Sequence, residues 1–456
     1  MLRVRCLAAL LIGSTASAQP SDSPLPSLLT LDGALGQFRQ RGFDLLLAEA
    51  EVQRAEGEVR SAGAIPNPTV GGGFYRSFFD DNLFESHYGW SASLGDSGAL
   101  SDLLSGKRAL RVAVAERALA TARLHRFDAQ RNLEFQVKQQ YFQTVLARRS
   151  LDFAREVQQR MNEYLELTKK RLAGGAISEA DAARVEIDKL GADQSVDITE
   201  QTLHNSRFAL AFLIGVRSLV PDFDVDPGRI DYSMPTTLTS VSPASLLAIA
   251  LQHRPDLQAQ LQERARADQT VLLAQRQRLP GFGLDLGFAA QGTPSGTAGR
   301  PIPTVDASGQ PLPGGPFIPT TAQPALPPTL QLTLTTALPL FYQQQGEIRQ
   351  AEADRRTQTV LQSKLLAQIA SEVQTAYQNF RSLQARVQRM ESRLLERAQT
   401  ALDKVLLQRS QGQVSGLDVT IARRTYIATR LEYLQDLANY WIAVSQLEQA
   451  VGQELR

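Results

Sequence analysis

The chain has 456 residues, enough for two or three ordinary domains, and its 48 basic and 47 acidic residues nearly cancel. That balance argues against a nucleic-acid partner, because such binders gather a basic excess on one face. Hydrophobic residues make up 43% of the chain, mean hydropathy is −0.21, and no apolar run long enough for a membrane-spanning helix follows residue 20. A membrane β-barrel stays open, since its alternating strands leave weak hydropathy signals.

Residues 1–18 have the form of a secretory signal peptide. Arg3 and Arg5 make the basic start, residues 6–12 the apolar stretch, and Ala16-Ser17-Ala18 the small-residue cleavage site. Cleavage there removes Cys6, the only cysteine, so the exported chain would have neither disulfide nor thiol chemistry. Cys6 lies too far upstream of the cut to take a lipid. The expected destination is the cell envelope.

The rest of the chain is written twice. Leu35, Asp44, Arg54 and Pro68 fall on Leu247, Asp256, Arg266 and Pro280, all 212 positions apart. Gly106 then falls on Gly346, and Gly175, Ser178 and Asp181 fall on Gly412, Ser415 and Asp418. The first repeat spans 19–215, a linker rich in Pro and Asp spans 216–242, and the second repeat spans 243–456. Extra length in the second copy sits in the Pro/Gly-rich stretch 291–328, which holds ten of the 22 prolines and reads as a surface loop.

Each copy has the same predicted order. In the first, a helical pattern ends at Pro66-Asn67-Pro68, strands follow over about 69–95, and a long helix covers about 100–172. That helix contains no proline and only Gly106, and at 1.5 Å per residue it would reach about 110 Å. In the second copy the strands fall at about 281–290 and 329–338, and the long helix at about 343–411. Helices this long need partners throughout. Leu366, Ala370, Val373, Tyr377, Phe380, Val387, Leu394, Ala398, Ala401 and Val405 form a narrow 3–4 spaced stripe, read as coiled-coil-like core.

The strands alternate large apolar residues with small or polar ones, as in Phe282-Gly283-Leu284-Asp285-Leu286 and Leu330-Gln331-Leu332-Thr333-Leu334. A soluble sandwich would alternate in the same way. In lipid, however, four strands leave open edges with unpaired backbone groups. About eight strands is the smallest usual closed membrane barrel, so closure would need further copies of the chain. The apolar side would then face lipid and the Gly/Thr/Ser/Asp side a lumen.

Several segments carry a family resemblance: Ile65-Pro66-Asn67-Pro68 before the first strand and Leu338-Pro339-Leu340-Phe341 entering the second long helix. The paired segments Leu172-Ala173-Gly174-Gly175-Ala176-Ile177-Ser178 and Ser410-Gln411-Gly412-Gln413-Val414-Ser415 complete the set. With the doubled element order, the chain resembles the TolC-type outer-membrane efflux proteins over nearly all its mature length. The Pro-Asn-Pro opening most resembles the branch serving heavy-metal RND pumps of the cobalt-zinc-cadmium type.

The resemblance implies a mainly α protein with a membrane β-barrel portion. A homotrimer would build a twelve-stranded barrel over an α-helical periplasmic tunnel. It implies a passive outer-membrane channel rather than an enzyme, fed by an inner-membrane RND transporter through a periplasmic adaptor (a membrane fusion protein). Adaptor docking is expected on the helical tips at Gly174, Gly175, Ala176, Ile177, Ser178, Gly412, Gln413, Val414 and Ser415. Asp181 and Asp418 occupy positions where relatives narrow the periplasmic aperture, although Ile421 stands where some relatives carry a second acid. Two other uses of such a chain remain: the duct of a type I protein-export system, and a soluble periplasmic coiled-coil scaffold.

Other chemistry finds little support. His87, His125, His204 and His253 share no ligand spacing, so no resident metal is expected, and no cofactor motif is present. Gly106-Lys107 lacks the earlier glycine and the following Ser/Thr of a phosphate loop, Ser101 and Arg108 standing there instead.

Overall fold

A computed structural model describes residues 25–76, 88–96, 98–233, 242–292, 302–313, 317–318 and 327–455. The leader at 1–18, His87 and much of the Pro/Gly-rich stretch lie outside the described residues. The chain opens with β1 (Leu28–Leu29), α1 (Leu31–Arg41) and α2 (Phe43–Gly63), followed by β2 (Thr69–Arg76) and β3 (Tyr88–Gly95). The short α3 (Ala99–Ser105), the 67-residue α4 (Lys107–Ala173) and α5 (Glu179–Leu213) come next. After β4 (Asp224–Val225) the order returns as α6 (Pro243–His253), α7 (Pro255–Arg276) and β5 (Phe282–Gly292). Two-residue strands β6 (Ile302–Pro303) and β7 (Phe317–Ile318) precede β8 (Thr329–Thr336), α8 (Gln345–Arg389), a π-helical turn at Met390–Leu394, α9 (Leu395–Ser410) and α10 (Gly416–Val451).

These elements divide into two compact units. One comprises Met1–Gln53, Ala122–Ala259 and Gln362–Arg456; the other comprises Arg54–Thr121 and Gln260–Leu361.

The first unit is helical and holds the main core. Phe38, Tyr141, Phe380, Leu437 and Tyr440 are all essentially inaccessible and belong to one cluster. The Phe380 and Tyr440 rings lie 5.8 Å apart, and Tyr440 meets Trp441 edge-on at 5.5 Å. Burying each such side chain contributes about 1.5–3 kcal/mol, and Phe380→Ala would cost about 3–5 kcal/mol through the cavity it leaves. Polar tips in this core are satisfied by backbone: Tyr440 donates to Ser233 O at 3.1 Å and Tyr141 to Leu29 O at 3.3 Å. The segment read as a plain linker contributes here, because β4 pairs in parallel with β1, placing Asp224 beside Leu28 and Val225 beside Leu29.

Three expectations change in detail. The first long helix is broken at Gly106, whose φ of 69° is left-handed and ends α3 before α4 begins. The apolar stripe of the second copy holds through Val373, Phe380 and Val387, but Leu394 is 48% exposed and Ala401 is exposed as well. The intervening π-helical turn inserts one residue, so the row continues through buried Met390, half-buried Leu395 and buried Leu402. Thirdly, the Pro/Gly-rich stretch is not wholly loop: β6 and β7 pair antiparallel within it, and β5 runs into it as far as Gly292.

The second unit contains a four-stranded antiparallel sheet in the order β2-β3-β5-β8. Residues directly opposite one another share a face, so the register sorts the side chains. Phe74 pairs with Trp90, Val70 with Leu94, Leu94 with Leu286, Leu286 with Leu332, and Leu284 with Leu334. All the large aliphatic residues of the sheet thus lie on one face. The other face carries Gly71, Gly73, Ser91, Ser93, Asp285, Gly287, Gln331 and Thr333. Glycine at 71 and 73 lets the chain pass close to the Ser93 and Ser91 hydroxyls, which would lie within 2.7 Å of an added Cβ. The apolar face is uncovered: Val70 is 82% exposed and Leu330 74%.

Candidate functional site

The sites expected from sequence lie in the first unit, at the two turns that reverse the long helices. α4 ends in a Schellman motif: Gly175 adopts φ +67° and donates to Leu172 O at 2.9 Å, while Ala176 donates to Arg171 O at 2.9 Å. The second turn repeats this geometry. Gly412 has φ +74° and donates to Arg409 O at 3.1 Å, and Gln413 donates to Gln408 O at 2.9 Å. Gly174 does not need glycine in the same sense, because its φ is not positive. Arg409 braces the second turn by donating to Val414 O at 3.0 Å.

Ser178 and Ser415 are the N-caps of α5 and α10, each with an Asp three residues on. Ser178 Oγ accepts from Asp181 N at 3.1 Å and donates to Asp181 Oδ2 at 3.0 Å. The second pair is a full capping box: Ser415 Oγ accepts from Asp418 N at 3.2 Å, and Asp418 Oδ2 accepts from Ser415 N at 2.9 Å. Hydrogen bonds from the Ser415 hydroxyl and backbone hold the Asp418 carboxyl below the ordinary carboxylate range. Asp181 has a cation nearby, Arg184 at 3.9 Å.

The structure brings part of the first turn against the second. Ile177 and Asp181 line a hollow of about 200 Å³ together with Leu417, Thr420 and Arg424 of α10. Gln413, Val414 and Asp418 do not line it; Asp418 is exposed, whereas Asp181 is half-buried. Asp418 therefore completes a capping box through Oδ2, leaving Oδ1 for a further partner, whereas Asp181 meets the Ser178 hydroxyl through Oδ2 and faces Arg184 through Oδ1.

Sequence reasoning missed the pair that ties the two tips together. Asp188 Oδ1 accepts from Arg424 Nη2 at 2.9 Å, and Asp188 Oδ2 receives the Thr420 hydroxyl at 3.4 Å. A signal was available, since Asp188 sits seven residues after Asp181 on the same helix face. Nothing in the sequence pattern marks Arg423, which stacks 4.7 Å from the centre of the Tyr164 ring. Among the described residues no three His, Cys, Asp or Glu side chains gather into a metal cage.

A family model described as "Outer membrane efflux protein" matches residues 34–216 and 246–453. The cobalt-zinc-cadmium resistance protein CzcC of Cupriavidus metallidurans is 23% identical over 429 residues, covering 93% of this chain and 90% of that one. Among solved structures, the fold resembles CusC, described in terms of transmembrane channel formation, with a TM-score of 0.72, 18% identity, and 93% and 92% of the two chains covered. It also resembles the outer membrane protein VceC of Vibrio cholerae, with a TM-score of 0.67, 20% identity, and 93% and 97% coverage.

Proposed function

Because this chain belongs to the outer membrane efflux protein family, we propose that it is the passive exit duct of a tripartite efflux system. It resides in the outer membrane. Export removes residues 1–18, and two repeats at 19–215 and 243–456, joined by 216–242, build the mature subunit.

The single observation that carries this reading is the sheet β2-β3-β5-β8, with its aliphatic residues on one uncovered face and its edges at β2 and β8 open. In water such a face is an aggregation hazard, and in lipid such edges are intolerable. Closure by sister subunits removes both problems at once. Three copies give a twelve-stranded barrel, within the range of outer-membrane barrels. The glycine, serine, threonine and aspartate face then lines water.

The helical tips receive an adaptor that hands over cargo from an inner-membrane RND transporter, and no chemistry occurs in the duct. Likeness to a cobalt-zinc-cadmium resistance protein, together with Pro66-Asn67-Pro68, supports divalent metal ions as that cargo. The duct reading is tested by purifying the full-length protein from outer membranes. A heat-modifiable oligomer that conducts in planar bilayers is the expected result, and a silent monomer would overturn it. For cargo, deletion of the gene should lower tolerance to cobalt, zinc and cadmium, and unchanged tolerance to all three would refute the metal assignment.

A further inference from the structure

Away from the tips, a cavity of about 300 Å³ opens between α4, α9 and α10, at the lower end of the range for small-molecule sites. Its walls are mostly apolar and aromatic, with Phe153 and Val157 of α4, Leu402 of α9, and Tyr426 and Ile427 of α10, and Glu156, Arg160 and Glu163 of α4 also line it. Into it projects the guanidinium of Arg423. That group stacks 4.7 Å from the Tyr164 ring centre and donates to the thioether Sδ of Met161 at 3.0 Å. A thioether is a weak acceptor. Among the described residues Arg423 makes no ion pair.

The carboxylates nearby are already engaged. Glu156 pairs with Arg160 at 2.6 Å, and Glu163 accepts from Gln159 at 3.3 Å. Asp188, whose charge also acts on Arg423, is bound to Arg424 at 2.9 Å. Burial lowers the guanidinium pKa, yet an arginine stays charged throughout the working range. The cavity therefore holds a partly desolvated cation facing a sulfur and a ring. That is a costly arrangement unless an anion completes it.

We propose that this cavity is a binding site for a small hydrophobic carboxylate, its flat apolar body lying among Phe153, Val157, Leu402 and Tyr426 and its carboxylate received by Arg423. The fork of the guanidinium suits two carboxylate oxygens, and the ring of Tyr164 fixes the plane in which they are met. The site is independent of the duct reading, since it needs neither barrel closure nor an adaptor.

The test uses full-length protein in nanodiscs, titrated by calorimetry with naphthalene-2-carboxylate and with its uncharged counterpart, 2-naphthalenemethanol. One saturable carboxylate site per chain is expected, with weaker binding of the alcohol. Arg423→Gln should weaken the carboxylate by about tenfold or more, the worth of one charge-assisted hydrogen bond, and leave the alcohol unchanged. Arg423→Lys should retain a preference for the carboxylate. Val157→Phe, which fills the cavity without touching a charge, should abolish binding of both, with helical circular dichroism reporting that each variant is folded. Absent or unsaturable binding to the wild-type protein, equal carboxylate affinity in Arg423→Gln, or full binding in Val157→Phe would each overturn the assignment.

Discussion

Lys138 of α4 and Glu448 of α10 form an ion pair with Nζ 2.7 Å from Oε2, and their side chains are only 6% and 7% exposed. It joins the first long helix to the last helix inside the main core. The other Glu448 oxygen accepts from Leu455 N at 3.3 Å, so the carboxylate is satisfied on both sides. A buried pair of this kind adds little against an apolar pair of equal volume, but a lone member is costly. Lys138→Met should therefore destabilise the fold by about 3–5 kcal/mol. Lys138→Met combined with Glu448→Leu should recover most of that loss. Unfolding midpoints for the two singles and the double decide it, and simple additivity would refute the pairing energetics.

At the two tip turns, Gly175 and Gly412 sit at left-handed φ, with open space where a Cβ would be. The penalty for alanine there is conformational rather than steric, about 1 kcal/mol per site. Asparagine, which tolerates this region, should cost less. Gly174→Ala is the internal control, because its φ is ordinary and its Cβ would meet Lys170 O only at 3.6 Å. Amide exchange in the last turns of α4 and α9 should quicken in Gly175→Ala and Gly412→Ala but not in Gly174→Ala. Equal exchange in all three would contradict the turn assignment.

The two tips were legible because glycine, serine and aspartate recur at the same short spacing in both copies, a signal carried by adjacent residues. The sheet was legible for a similar reason, since period-two alternation in residues 282–288 and 330–335 survives whatever the strands pack against. The π-helical turn at Met390–Leu394 was not, because no glycine or proline marks it and its only trace is a one-residue change of phase between Val387 and Leu402. The β1–β4 pairing joins residues about 196 positions apart in two-residue strands, below the length at which alternation can be seen. The setting of Arg423 depends on three helices that are distant in sequence, so composition could not reveal an arginine lacking a carboxylate.

Leu332 and Thr333 are neighbours on β8 that point to opposite faces, Leu332 opposite Leu286 and Thr333 opposite Asp285. If the aliphatic face meets lipid, Leu332→Lys should cost about 2–4 kcal/mol near mid-membrane and deplete the heat-modifiable oligomer from outer-membrane fractions. Thr333→Lys should assemble normally and shift ion selectivity towards anions. Equal assembly of both variants would remove the membrane assignment of that face.

The Ser415–Asp418 capping box gives the proposed aperture residue a pH signature. Because the folded carboxyl is held below its ordinary value, its contribution is complete above the unfolded pKa of about 3.9 and is lost as pH falls through the lower folded value. Ser415→Ala should raise the Asp418 pKa towards the ordinary value, as read by carboxyl NMR titration. Asp418→Asn retains an acceptor for the cap but removes the charge. It should lose the charge-dependent part of that stability at neutral pH, the gap from wild type closing as pH falls through the folded value, while reducing cation selectivity and cation block in planar bilayers. Unchanged conductance, selectivity and block would leave Asp418 a helix cap and nothing more.

Asp436 of α10 predicts the opposite trend. Its side chain is buried, Oδ1 accepts from Arg386 at 2.8 Å, and Oδ2 has no hydrogen-bond partner among the described residues. Burial outweighs the attraction of Arg386 and pushes this carboxyl above its ordinary value. The native state then binds the proton more tightly than the unfolded chain. Stability falls as pH rises from the unfolded value of about 3.9 through the raised folded value, and the penalty is complete above it. Asp436→Leu should remove that penalty, because the 45% exposed Arg386 side chain can return to water when released. The variant should therefore unfold at a higher temperature than wild type at pH 7.5, with the gap narrowing towards pH 4. A variant less stable at pH 7.5 than at pH 4, relative to wild type, would show that the Arg386 ion pair outweighs the cost of burial.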